Sequence, residues 1–118
     1  MTELKDKKCK PCEGETKPLT PEEIFPYQGK IDKAWKVLDA HHLERTFTFD
    51  NFVNALGFTN SLGAIAEEEG HHPNIFLTWG KVVVELWTHE VDGLTENDFI
   101  SAAKYDEAYG KADGVKVE

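Results

Sequence analysis

Residues 50–73 read DNFVNALGFTNSLGAIAEEEGHHP, and the rest of the chain is organised around how this stretch folds. Asp50 can cap an α-helix running from about Asn51 to Glu69, with Phe52, Val53, Leu56, Leu62, Ile65 and Ala66 as an apolar stripe at helical spacing. At about 1.5 Å per residue the helix spans roughly 27 Å. Gly57 and Gly63 each cost it about 1 kcal/mol relative to alanine, and leave room for a neighbouring strand or subunit to approach. Gly70 is placed to take the left-handed conformation just past the helix, and Pro73 pushes His72 toward an extended one. Two adjacent imidazoles therefore sit on a short constrained connection at a helix C-terminus. That terminus carries partial negative charge, so Glu67, Glu68 and Glu69 stand at the wrong end for helix stability. Carboxylates beside an imidazole favour its protonated form. A local rule broken with no visible stabilising return points toward function.

Upstream, Thr20-Pro21-Glu22-Glu23 combines an N-cap threonine, a proline at the first helical position and a glutamate three residues after the cap. Pro26 and Gly29 predict that this helix is short. Residues 35–38 and 43–49 read as two strands around Asp39-Ala40-His41-His42. In the second, Arg45, Phe47 and Phe49 alternate with Glu44, Thr46 and Thr48, the period of a half-buried strand. Downstream, residues 75–77 and 81–89 read as two more strands near Trp79-Gly80. Val82, Val84, Leu86 and Thr88 share one face of the longer strand; Val83, Glu85, Trp87 and His89 share the other. Asp92-Gly93 supplies turn chemistry. A last helix begins at Thr95 and runs to about Tyr109, with Phe99, Ile100, Ala103 and Tyr105 for packing. Asp98, three residues past the Thr95 cap, can serve the helix N-terminus while also facing the histidines. The order α-β-β-α-β-β-α predicts an α+β fold: a four-stranded antiparallel sheet with three helices packed on one face.

The 118 residues make one domain, with 40% hydrophobic and 30% charged residues. The boundaries read as a flexible leader over 1–18, a folded domain over 19–109 and a polar tail over 110–118. A net charge of −9 argues against a nucleic-acid backbone or an anionic membrane as direct ligand and favours a neutral or weakly polar small molecule. No apolar run reads as a signal peptide or a bilayer span, so the cytoplasm is the expected compartment. Cys9 and Cys12 form a C-x-x-C in the leader. No second such pair or nearby histidine completes a zinc site, and no strand–helix context suggests a thioredoxin-type motif.

Histidine is the side chain whose ordinary titration lies near neutrality, so His71 and His72 on a rigid turn invite an acid–base reading. His89, near the end of an alternating strand, is the candidate third member. Surface histidines are the plain alternative, and His41-His42 is an internal comparison that lacks the flanking glycine and proline. A metal site built from the three histidines and Glu67 is another. Adjacent histidines in an extended segment point opposite ways, which weighs against joint chelation.

Taken together, Arg45-Thr46-Phe47-Thr48-Phe49-Asp50-Asn51-Phe52, Ala66-Glu67-Glu68-Glu69-Gly70-His71-His72-Pro73, Thr88-His89-Glu90 and Gly93-Leu94-Thr95-Glu96-Asn97-Asp98-Phe99 resemble the pterin-4a-carbinolamine dehydratases, in order and spacing. The resemblance covers about residues 21–109. It implies a cofactor-free, metal-free dehydratase that takes water from a 4a-hydroxytetrahydropterin to yield quinonoid dihydropterin in tetrahydropterin recycling. It places His71, His72, His89 and Asp98 in the catalytic set, with His71 and His89 transferring protons and His72 positioning the pterin. Glu67, Gly70, Pro73, Thr88, Glu90 and Trp35 then fall on substrate-binding or supporting positions. A homodimer or homotetramer is implied, together with a metabolic link to an aromatic amino acid hydroxylase. The alternative is a non-catalytic pterin-binding or partner-stabilising protein, with a link to molybdenum-cofactor enzymes. Gly70, Asn74, Ile75 and Trp79 depart from the animal members, which bears on pocket shape and pterin side-chain preference.

Overall fold

Alternation along two strands builds the centre of the protein. In the computed structural model, which describes residues 3–11 and 15–116, the elements are α1 (Pro21–Gln28), β1 (Lys36–Leu38), β2 (His42–Thr48), α2 (Phe52–Glu69), β3 (Asn74–Leu77), β4 (Lys81–Leu86) and α3 (Glu96–Gly110). The four strands form one antiparallel sheet in the order β1-β2-β4-β3. Leu43, Arg45, Phe47 and Phe49 from the β2 segment, and Val82, Val84 and Leu86 from β4, are buried on the inner face. Their strand neighbours point outward, as a period of two requires. The α+β order expected from the sequence is the observed one.

The long helix differs from expectation in which face it buries. The buried positions are Ala55, Phe58, Leu62, Ala66 and Glu69, spaced by three or four residues throughout. Of the expected stripe, Val53 is 75% exposed and Phe52 and Leu56 are also exposed. Phe58 decides the rotation: its ring packs 4.8 Å from Phe47 and 5.2 Å from Phe49, centroid to centroid. A Cβ at Gly57 or Gly63 would meet nothing within 4 Å, so no strand among the described residues makes use of them. The cap also shifts by one residue. Asn51, in extended conformation, accepts the Asn54 backbone N–H, while Asp50 accepts from the Asn54 side chain.

At the other helices the capping chemistry behaves as read. Thr20 and Glu23 form a reciprocal capping box. Pro26 lies inside α1 rather than ending it; the helix continues to Gln28 and stops at Gly29. At α3, the Asp98 carboxylate accepts the Thr95 backbone N–H at 3.0 Å. β4 ends at Leu86, short of the expected His89, and Thr88 and Gly93 pair as an isolated bridge around a turn closed by Asp92 at φ 51. Gly93 must be small: a Cβ there would lie 2.6 Å from Pro18.

Both ends of the described chain lie against the domain. Leu4 is buried, Lys5 and Lys7 pair with Glu107 and Glu96 of α3, and Lys104 donates to the Lys5 carbonyl. After α3, residues 114–116 return to the end of β2, through the Asp50 N–H to the Gly114 carbonyl and the Lys116 N–H to the Thr48 carbonyl. Cys12 lies outside the described residues.

Candidate active site

The connection leaving α2 meets the start of α3. Gly70 takes the left-handed conformation at φ 65 and ψ 26, as the sequence predicts, and the His71 N–H donates to the Ala66 carbonyl. This turns the His71 ring inward, where its side chain is 11% exposed and Nε2 lies 2.6 Å from Asp98 Oδ1. Asp98 is fully buried. Its second oxygen, Oδ2, accepts from Thr88 Oγ1 at 2.8 Å and from the Thr95 N–H at 3.0 Å. A third link joins the hydroxyls of Thr88 and Thr95 at 2.9 Å. A carboxylate removed from water is tolerable only when its lone pairs are met, and here both oxygens are engaged.

This arrangement fixes the chemistry available to His71. A carboxylate only accepts, so Nε2 must carry a hydrogen, and Nδ1 is the nitrogen left to exchange protons with a substrate. His72 points elsewhere: its Nε2 lies 2.6 Å from Glu67 Oε2, with side chains 59% and 80% exposed. The two adjacent imidazoles thus engage different carboxylates, as an extended segment directs. His89 follows Thr88 in the turn after β4, exposed, its ring 4.7 Å from that of Trp87. The Thr88 hydroxyl ties this turn to Asp98, so His71 and His89 share one buried anchor through different elements. Glu90 is exposed in the same turn, and Pro73 is half-buried before β3.

Trp35 sits apart from this group. It is buried just before β1, and its indole N–H donates to Asp106 at 2.8 Å. Asp106 lies eight residues beyond Asp98 on α3, about 12 Å along the helix axis. It also accepts from Arg45 at 2.6 Å and from the Asp32 N–H at 3.1 Å. Burial pushes its carboxyl up, against the opposing pull of those donors and the Arg45 charge. A depression of about 760 Å³, lined by Lys5, Lys7, Lys30, Asp32, Asp106 and Glu107 among others, adjoins this second cluster rather than the histidines.

The apparently misplaced carboxylates at the end of α2 divide by role. Glu69 is buried, accepts the Cys9 N–H at 2.9 Å and lies 3.7 Å from Lys104 Nζ. Next to it, the Asn97 side chain accepts the Lys10 N–H at 3.0 Å and donates to the Lys10 carbonyl at 2.7 Å. The leader therefore bridges Glu69, two residues before His71, and Asn97, the neighbour of Asp98. Burial pushes the Cys9 thiol up to about 11. These long-range contacts have no local sequence signal. Thr95, by contrast, was recognisable as a cap, and its second role follows from Asp98 facing inward.

The sequence matches the family described as Pterin 4 alpha carbinolamine dehydratase over residues 17–108. The chain belongs to this family. A relative from Alkaliphilus metalliredigens, named "Putative pterin-4-alpha-carbinolamine dehydratase", is 52% identical over 106 residues, 90% of this chain and 96% of that one. A relative of the same name from Rickettsia canadensis is 51% identical over 104 residues, 88% and 95% of the two chains. Among solved structures, a transcriptional coactivator/pterin dehydratase from Brucella melitensis superposes with a TM-score of 0.74 at 33% identity, over 79% of this chain and 99% of that one. A pterin dehydratase-like protein described as a RuBisCO assembly factor in the alpha-carboxysome gives 0.57 at 26% identity, over 65% and 90%.

Proposed function

We propose that this pterin carbinolamine dehydratase family member is an active hydro-lyase, converting a 4a-hydroxytetrahydropterin to quinonoid dihydropterin and water. In a carbinolamine the hydroxyl and a ring nitrogen share one carbon. Dehydration needs a proton delivered to the departing hydroxyl and a proton taken from that nitrogen, leaving a C=N bond and one water. Two imidazoles on opposite sides of the carbon meet both needs near neutral pH. His71 and His89 are assigned these transfers, and His72 with Glu67 positions the pterin. The supporting observation is the buried Asp98, which holds His71 in one tautomer, with Nδ1 free of the hydrogen. Asp98 is out of reach of substrate and acts as a positioning residue through His71. Thr88, Glu90, Gly70 and Pro73 shape the surroundings.

The protein is expected to act in tetrahydropterin recycling beside an aromatic amino acid hydroxylase, as a cytoplasmic homodimer or homotetramer. The exposed Phe52, Val53 and Leu56 on α2 and Phe76 on β3 support self-association.

A second reading, a non-catalytic partner-stabilising protein, is favoured by the solved relative described as a RuBisCO assembly factor. Turnover of a chemically generated carbinolamine, measured beside equilibrium binding of the pterin, separates the two. The enzyme reading predicts dehydration well above the spontaneous rate, lost on His89→Ala. Binding at an unchanged spontaneous rate would replace it with the second reading.

A further inference from the structure

The pair His41-His42 lies on the outer side of the sheet and shares Trp87 as a ring neighbour with His89. His42 and Glu44 alternate with the buried Leu43 and Arg45 on β2, and Glu85 alternates with the buried Val84 and Leu86 on β4. Glu44 and Glu85 are direct cross-strand partners. Like charges at that position repel, and both residues are only partly exposed. Lys36 is Glu44's partner on the other side, yet no ion pair to either glutamate occurs among the described residues. One ring nitrogen of His42 and one carboxylate oxygen from each glutamate lie within 4.8 Å of one another.

The hydrogen bonds behind His42 supply an independent pointer. Asp92 Oδ1 lies 2.8 Å from His41 Nε2, and His41 Nδ1 lies 3.0 Å from His42 Nδ1. A carboxylate only accepts, so His41 Nε2 carries its hydrogen. In a neutral ring His41 Nδ1 is then the acceptor, which requires His42 Nδ1 to be the donor. The chain Asp92–His41–His42 thereby leaves His42 Nε2 with a free lone pair. A metal-ligating histidine is typically prepared this way, its second ring nitrogen donating toward a carboxylate. Trp87 packs against both rings, at 5.4 Å from His41 and 5.8 Å from His42, and limits their rotation.

We propose that His42, Glu44 and Glu85 bind a divalent transition-metal ion on the outer face of the sheet. One imidazole and two carboxylates suit Zn²⁺, which takes nitrogen and oxygen ligands at about 2.1 Å. Ligands around such a tetrahedral ion sit roughly 3.4 Å apart, so only a modest closing of this cluster is required. A water completes the shell. The ion neutralises the facing glutamates, and Asp92 and His41 set the orientation and basicity of His42.

The test titrates chelator-treated, full-length protein with Zn²⁺ by calorimetry. One ion per chain is expected, with affinity reduced at least tenfold by His42→Gln and by Glu85→Gln. Asp92→Gly, which removes the acceptor behind His41 without touching a ligand and suits the positive φ there, should weaken binding about tenfold. His71→Gln should leave it unchanged. In the wild-type protein Co²⁺ should broaden the His42 imidazole NMR signals before those of His71, a readout independent of how the variants fold. The proposal is overturned by the absence of saturable binding, by stoichiometric binding that survives His42→Gln and Glu85→Gln, or by Co²⁺ broadening His71 first.

Discussion

Replacing Asp98 with asparagine keeps the side chain's shape and removes one acceptor. Three donors converge on the carboxylate: His71 Nε2 at 2.6 Å, Thr88 Oγ1 at 2.8 Å and the Thr95 N–H at 3.0 Å. An amide has a single oxygen to offer. If that oxygen stays with the two threonines, the α3 cap survives and the NH₂ faces His71. Nε2 must then accept, which moves the neutral ring's hydrogen to Nδ1, the nitrogen proposed to exchange protons with substrate. The base is lost and the imidazolium loses its counter-charge. A positioned acid–base group contributes about 10²–10⁴ in rate. We therefore expect kcat to fall about 10²–10³-fold, or roughly 3–4 kcal/mol in the barrier. KM should change little, because a fully buried Asp98 does not touch substrate. Exchanging hydrogen bonds to a charged group for neutral ones should also cost about 1 kcal/mol of stability, visible as a lower Tm. Stopped-flow absorbance on a chemically generated carbinolamine, with the spontaneous rate subtracted, gives kcat and KM; circular dichroism melts give Tm. A folded Asp98→Asn protein with kcat within threefold of wild type would refute the tautomer argument.

Other outcomes follow from single contacts. Phe58→Ala should destabilise the fold by about 3–5 kcal/mol in urea unfolding, because it empties a site between Phe47 and Phe49, whereas Val53→Ala should cost the isolated chain under about 0.5 kcal/mol. In a Cys12→Ser variant, Cys9 at about 11 against an ordinary 9.0 carries about 100-fold less thiolate below pH 9 than in the unfolded chain. Iodoacetamide labelling should therefore accelerate sharply on adding urea; equal rates would mean that the Cys9 thiol is not buried against the domain. The Lys7 hydrogen bond, ahead of the burial that opposes it, draws the Glu96 carboxyl below its ordinary value. A depressed carboxyl contributes stability above its unfolded titration and loses it as pH falls through the folded one. Lys7→Gln should thus lower stability slightly at pH 7, by under about 0.5 kcal/mol for so exposed a pair, and not at all near pH 2.

How far the sequence was legible depended on whether the deciding interaction was local. The inward sets on β2 and β4 needed only alternation. Gly70 and the Thr20 and Thr95 caps needed only three or four neighbours. The buried face of α2 was ambiguous because the helix carries apolar residues on two sides: Phe52, Val53 and Leu56 compete with Ala55 and Phe58, and only the Phe47 and Phe49 rings select between them. Pro26 does not end α1: it forgoes the single bond its N–H would make to the Glu22 carbonyl, and the helix continues only two residues further, to Gln28. Within the candidate site, His71 and Asp98 were readable from turn and cap logic. Glu69, Asn97 and the Arg45–Asp106–Trp35 cluster were not, since each is defined by partners tens of residues away. Trp35 lies with that cluster, away from His71, which sequence spacing had no means of measuring.

The most direct test is the rate of water loss from 4a-hydroxytetrahydropterin with wild-type protein and with His71→Ala. If His71, held by Asp98, is a proton-transferring group of a dehydratase, wild type will exceed the spontaneous rate by orders of magnitude and His71→Ala will lose at least 10²-fold of that. A wild-type rate equal to the spontaneous one, or a folded His71→Ala protein as fast as wild type, would contradict it.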